Sequence, residues 1–256
     1  MKGVTLKRKS IYAGNLILVN AQYPYRGYAV QRTLLPVNME ANAIMLDNHM
    51  VKFLSSLMDG LNGWEQIAAV SGWRSVREQK EIYAQSLQEN GKAFTEKFVA
   101  LPGCSEHQTG LAIDLALKQD HIDFICPEFP YKGICQTFRQ TAIYYGFIER
   151  YPHGKESVTG ISHEPWHFRY VGVPHAEIME SHGFVLEEYI SFLRDYPYPK
   201  SPYLYTATDM RISVSYLEAN KTADTYFEID DRIPYSVSGN NIDGFIITEW
   251  RGQSYE

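Results

Sequence analysis

The sequence predicts an α+β protein with a small β-rich C-terminal appendage. Two observations predict this. Up to about residue 195, segments with helical apolar spacing are mixed with short alternating segments. Near residue 196 the run Tyr-Pro-Tyr-Pro-Lys-Ser-Pro interrupts every periodicity, and short strand-like stretches follow it. The domain reading is therefore 1–196 and 200–256.

Each element has its own signal. Ile44, Leu46, Met50, Phe53, Leu54 and Leu57 recur at helical spacing, which predicts a helix over 38–60 that Gly60 and Gly63 close. Residues 66–71 form a short apolar run, predicted as a buried strand. Ser75 and Glu78 have capping-box spacing, so a helix is predicted over 76–89, with Asn90-Gly91 as its stop. Residues 111–117 alternate as a strand does, and so do 166–171. Further helices are predicted over 136–145, 175–182 and 185–195. In the appendage the strand candidates are 211–216, 226–229 and 245–250. The apolar run Ile11–Asn20 follows Lys7, Arg8 and Lys9 but is broken by Gly14 and Asn15. It reads as a strand ending at Asn20 and not as an export signal.

Composition excludes some function classes. The chain has 256 residues, 45% hydrophobic and 21% charged, the profile of a globular domain with a sizeable core. Its net charge of -6 lacks the basic footprint of a nucleic-acid binder. No apolar stretch approaches the roughly 18 residues of a membrane span. Three cysteines, Cys104, Cys126 and Cys135, match neither a disulfide framework nor a zinc knuckle. A cytoplasmic location is expected on these grounds.

The residues suited to chemistry lie in two segments, Ser105-Glu-His107-Gln-Thr-Gly110-Leu-Ala-Ile-Asp114 and His163-Glu164-Pro165-Trp166-His167. On one helix, His107 and Asp114 would stand about 10 Å apart along the axis. Ligands each about 2 Å from one zinc cannot be so separated. The chain must bend, and Gly110 permits it. Beyond the bend, Ala112, Asp114 and Ala116 share one strand face, a carboxylate flanked by small side chains. A solvated Asp114 and a loop histidine are the plain alternative. His163 and His167 have the spacing of a helical metalloprotease motif. Pro165 lies between them and opposes a helix, by about 3 kcal/mol or more. A strand is the better reading, and it separates His163 from His167. Together His107, Asp114 and His167 offer two nitrogens and one oxygen with a fourth position open, as catalytic zinc sites do. Glu164 is placed to take a proton from water. His49, His121, Asp123, His153 and Cys104 read more simply as solvated or packing residues.

The pairing of Ser-x-His-x6-Asp with Glu-x-Trp-His resembles the zinc D-Ala-D-Ala peptidases of the VanX and VanY type. The stretch Glu164-Pro-Trp-His-Phe-Arg-Tyr-Val-Gly172 is most similar to the bifunctional VanXY group of vancomycin resistance, and the resemblance covers about residues 10–195. It implies a central antiparallel sheet flanked by helices and one zinc ion per chain on His107, Asp114 and His167, with Glu164 as base. It also implies that Arg74, in Ser71-Gly-Trp-Arg74-Ser75, stabilises the oxyanion, and that Ser105 and Gln79 bind substrate. Trp73 stands where tyrosine is more usual, a departure that would alter a subsite wall. The implied substrate is a small peptide ending in D-Ala-D-Ala, either the free dipeptide or a peptidoglycan precursor. Another peptidoglycan endopeptidase, or a non-catalytic zinc or peptide-binding module, would share the scaffold.

Overall fold

The computed structural model describes residues 1–27, 33–37, 44–207 and 210–252. In chain order the strands are β1 (Lys2–Leu6), β2 (Leu34–Pro36), β3 (Met45–Asp47), β4 (Ile67–Ser71), β5 (Ala112–Leu117), β6 (Phe147–Tyr151), β7 (Glu164–Tyr170), β8 (Tyr203–Ala207), β9 (Met210–Glu218), β10 (Thr225–Ile229), β11 (Tyr235–Gly239) and β12 (Gly244–Trp250). The helices are α1 (Asn48–Leu61), α2 (Val76–Asn90), α3 (Lys92–Phe98), α4 (Gly133–Ala142), α5 (Glu156–Thr159), α6 (His175–His182) and α7 (Leu186–Leu193).

Two compact units result. One comprises Val19–Tyr25 and Gln31–Val185; the other comprises Met1–Leu18, Arg26–Val30 and Leu186–Glu256. This division differs from a border at 196–200, because β1 pairs antiparallel with β10 and draws the N-terminus into the second unit. That unit also holds a four-stranded sheet in the order β11-β12-β9-β8.

The larger unit is built on an antiparallel sheet in the order β4-β5-β7-β6. Leu111, just before β5, and Ile113 and Leu115 of one β5 face are buried with Met50 and Leu54 of α1 and Phe138 of α4, forming one core with Phe147 and Phe168. The other face of β5 carries Asp114 between Ala112 and Ala116. Strand period two thus sorts core from site within six residues.

Several elements differ from the sequence expectation. The first helix starts at Asn48, not near 38, because Asp47 caps it by accepting the His49 N–H; Met45 and Leu46 before it are strand, and 38–43 lie outside the described residues. The capping box at Ser75 and Glu78 is present in both directions. The run Leu16–Val19 is buried but forms no strand: the Leu16 N–H goes to Ser238 Oγ and the Leu18 N–H to Asn240 O, so its polar groups are met outside a ladder. β1, β2, β6, β8, β11, α3 and α5 lie outside the segments that the sequence patterns predict.

Gly110 turns the chain from the site into β5. Its φ is +72°, and a Cβ there would stand 3.0 Å from Leu34 Cδ2 and 3.2 Å from the Asp47 nitrogen. Gly154 has a similar φ of +84° with nothing within 4 Å. Gly154→Ala should therefore cost only the left-handed backbone strain, about 1–2 kcal/mol. Gly110→Ala should exceed it by about 1 kcal/mol or more through crowding. Chemical denaturation measures both, and equal losses would contradict the close approach.

Candidate metal and active site

Register assembles the site. Ser71 of β4 pairs with Asp114 of β5, and Asp114 pairs with His167 of β7. Three neighbouring strands thus place three site side chains in one row across the sheet. The pairing shifts between Ala69 and Ser71 on one side and between Glu149 and Tyr151 on the other. Such irregularities re-aim side chains. The second matters for Glu164. In a regular strand, residues three apart face opposite ways, yet Glu164 and His167 line the same cavity. Pro165 sits in this irregular stretch, beyond the residues that pair with β5.

His107 arrives from a 3-10 turn, Glu106–Thr109, that ends at Gly110. Its Nδ1 lies 2.7 Å from the Gly72 carbonyl, so Nδ1 carries the proton and Nε2 keeps its lone pair. That Nε2 is 3.1 Å from Asp114 Oδ2, and His167 Nδ1 is 2.8 Å from Asp114 Oδ1. Ligand atoms of His107, Asp114 and His167 all lie within 4.8 Å of one another, and all three residues are buried. Two imidazole nitrogens and a carboxylate oxygen, converging in a buried place, fit zinc in both chemistry and spacing. His163 is elsewhere: its Nε2 meets the Tyr131 hydroxyl at 2.7 Å and its ring stacks on Tyr131.

The other expected residues gather here too. Arg74 Nη2 reaches Asp114 Oδ2 at 3.0 Å, Nε donates to Ser71 Oγ at 2.8 Å and Nη1 to Gln79 Oε1 at 3.5 Å. Gln79 donates in turn to the Ala100 carbonyl, so its bonds brace Arg74 while its side chain lines the cavity. Ser105 and Glu164 line the same cavity, with Phe124, Ile125 and Ile161 from loops and Tyr151 from the end of β6. Trp73 is exposed and is not part of the lining. The neighbours that the sequence did not flag are Glu106, Arg150 and Arg169. Arg150 Nε donates to Glu106 Oε1 at 2.8 Å, Arg169 Nη1 lies 2.8 Å from the same oxygen, and all three side chains are fully buried. An acid beside a predicted ligand, with two arginines in apolar strand-like runs, is the signal that was available.

Burial and charge set the protonation states. Burial raises Glu164 to about 8, although the charges of His167 and Arg74 oppose it. Burial lowers His107 to about 4, reinforced by Arg74. For His167 burial also lowers the value, but the Asp114 hydrogen bond and the Glu106 carboxylate outweigh it and raise it to about 9. Burial would raise Asp114 too; its contacts with His107 and His167 hold it well below the ordinary carboxylate range.

These values predict a pH effect. Folded Glu164 keeps its proton from its ordinary 4.5 up to about 8, and folded His167 from 6.5 up to about 9. The unfolded chain has lost those protons in the same windows, so stability falls as pH rises through them. The windows overlap from 6.5 to 8, where each group contributes a slope approaching ~1.4 kcal/mol per pH unit. His107 acts in the opposite sense, but only between about 4 and 6.5. Chelator-treated protein should therefore lose Tm between pH 6.5 and 8. Excess zinc should flatten the curve, because ligating histidines must be deprotonated. A Tm that rises with pH under chelator would contradict these protonation states.

Sequence and structure comparisons relate the chain to known peptidases. The sequence profile of the VanY family, described as D-alanyl-D-alanine carboxypeptidase, matches residues 43–173. The chain is 42% identical over 179 residues to the bifunctional D-Ala-D-Ala dipeptidase and D-Ala-D-Ala carboxypeptidase VanXYC of Enterococcus gallinarum, covering 70% of this chain and 94% of that protein. The crystal structure of the vancomycin resistance D,D-dipeptidase VanXYg, in complex with a D-Ala-D-Ala phosphinate analogue, superposes with a TM-score of 0.94 at 47% identity, over 98% of this chain and 99% of that one. A mutant of the vancomycin resistance D,D-pentapeptidase VanY from a VanB-type resistance cassette, in complex with Zn(II), matches with a TM-score of 0.58 at 32% identity, over 69% of this chain and 98% of that one. The chain belongs to the VanY family of D-alanyl-D-alanine carboxypeptidases.

Proposed function

We propose that this chain is a zinc-dependent D,D-peptidase. It hydrolyses the amide between two D-alanines, in the free dipeptide and at the end of peptidoglycan pentapeptide precursors, and so confers glycopeptide resistance. The observation that carries this reading is Glu164. It is a buried carboxyl in the same cavity as His107, Asp114 and His167, 3.9 Å from His167 Nδ1, yet outside the three-residue ligand group. A pKa near neutrality suits a group that must both take and return a proton.

The division of labour follows from the contacts. One zinc ion per chain, held by His107, Asp114 and His167, would supply Lewis-acid polarisation and acidify water. Glu164 takes a proton from the attacking water as the new C–O bond forms. It gives that proton to the amine as the C–N bond breaks. Arg74 stays charged and donates to the carbonyl oxygen as negative charge develops there. Ser71 and Gln79 hold its guanidinium in place. The buried Ser105 hydroxyl is assigned to the substrate's terminal carboxylate, and Gln79 to the adjoining wall. An adjacent hollow of about 420 Å³ shares Ile82, Phe124 and Ile125 with the site, which supports access for a longer peptide. A cytoplasmic location is part of the proposal, supported by three free thiols.

Two assays test these assignments. Glu164→Ala should keep near-stoichiometric zinc and lose turnover by roughly 100-fold or more. His163→Ala should keep zinc, whereas His167→Ala should lose most of it. Equal zinc loss in the two histidine variants would overturn the ligand assignment. Purified zinc enzyme should also release D-alanine from the free dipeptide and from the soluble pentapeptide, each supplied alone. Release from neither would refute the activity; release from the dipeptide alone would restrict it to dipeptides.

A further inference from the structure

Glu106 takes no part in the chemistry above, yet its side chain is fully buried beside it. Both guanidinium contacts, from Arg150 and Arg169, fall on one oxygen, Oε1. The other oxygen, Oε2, has no hydrogen-bond partner among the described residues. It lies 3.7 Å from His167 Nε2, a buried nitrogen that also has none. A buried polar atom left without a partner is costly, and here two such atoms stand opposite one another. The remaining edge of the ring is occupied, since Nδ1 is 2.8 Å from Asp114 Oδ1. The imidazole is thus strung between two carboxylates.

A neutral imidazole donates through one nitrogen and offers a lone pair from the other. Resting on the proposal that His167 ligates the metal, we infer that Glu106 is the positioning residue that decides which nitrogen does so. Glu106 Oε2 accepts the Nε2–H of His167, and the lone pair of Nδ1 is left to face the ion beside Asp114. Arg150 and Arg169 clamp the opposite carboxylate oxygen and fix the direction from which Glu106 acts. The 3.7 Å separation needs to close by under ~1 Å to become a hydrogen bond. His107 is oriented in the reverse sense, because the Gly72 carbonyl takes its Nδ1 proton and leaves Nε2 as the donor. The two histidines therefore bind one metal through different ring nitrogens, each chosen by the partner of the other nitrogen.

The test is NMR of the full chain loaded with an NMR-active cadmium isotope and carrying labelled histidine nitrogens, combined with zinc competition assays. Cadmium should couple to Nδ1 of His167 and to Nε2 of His107, with a slowly exchanging proton on His167 Nε2. In Glu106→Gln, zinc affinity should fall by roughly 10–100-fold. The His167 Nε2–H signal should shift and exchange faster while the His107 Nδ1–H stays unchanged. Glu106→Asp keeps the negative charge that Arg150 and Arg169 require but withdraws it by one methylene. It guards against a glutamine variant that fails to fold, and its zinc affinity should also fall. Coupling to Nε2 of His167 would overturn the inference, as would wild-type zinc affinity in either folded variant. Absence of any coupling to His167 in the unmutated chain would refute its role as a ligand, and with it the proposed site, not merely the role of Glu106.

Discussion

The register between β5 and β7 is the constraint on which the site rests. It sets Asp114 opposite His167 on one face and Ile113 opposite Phe168 on the other. A slip of one residue would exchange the faces, sending His167 towards the core and Phe168 towards the cavity. Ile113 and Phe168 belong to the same core as α1 and α4, so the packing that stabilises the sheet also fixes the pairing that builds the site. His107 depends on the same strand, since the turn at Gly110 delivers it only if β5 begins where it does.

Electrostatics imposes the second constraint. Asp114, Glu106 and Glu164 are all buried, and so are Arg150 and Arg169. Removing one partner from such a group leaves an uncompensated charge, at a cost of about 3–5 kcal/mol. The cluster holds together because the charges are divided between layers. Glu106 is matched by two arginines, and Asp114 by Arg74 and His167. Of these carboxyls Glu164 lacks a cation in hydrogen-bonding contact among the described residues, which is why burial dominates its protonation and why it is free to exchange a proton. The arrangement thereby leaves one buried carboxyl, Glu164, without a fixed cationic partner among the described residues.

How much of this was legible in the sequence varied with how much each residue's chemistry departs from the ordinary. The break at Gly110, the alternation from Leu111 to Leu117 and the proline between His163 and His167 located the three converging side chains and separated His163 from them, because each carries a local rule. Glu164 was legible from its place beside His167. Arg74, Ser105 and Gln79 were legible only through resemblance, as a lone arginine, serine or glutamine has no distinguishing pattern. β6 was missed because Glu149 and Arg150 make Phe147–Tyr151 look half polar, although Arg150 is buried against Glu106. β1 was missed because its partner, β10, is over 200 residues away. The run Leu16–Val19 misled in the opposite direction: it is apolar enough for a strand, but Ser238 and Asn240 satisfy its backbone. Non-local pairing and buried charge are the two features that a local pattern does not contain.

The central claim is that His107, Asp114 and His167 act as one metal site whose protonation is coupled to the ion. Calorimetric titration of the stripped full chain with zinc at about pH 7, repeated in buffers of different ionisation enthalpy, measures stoichiometry and proton release together. With His167 at about 9 and Glu164 at about 8 before binding, both groups hold protons that the ion displaces or loosens. The account predicts a single zinc per chain and release of at least about one proton on binding. Binding without proton release, or a stoichiometry that survives replacement of Asp114 by alanine, would contradict it.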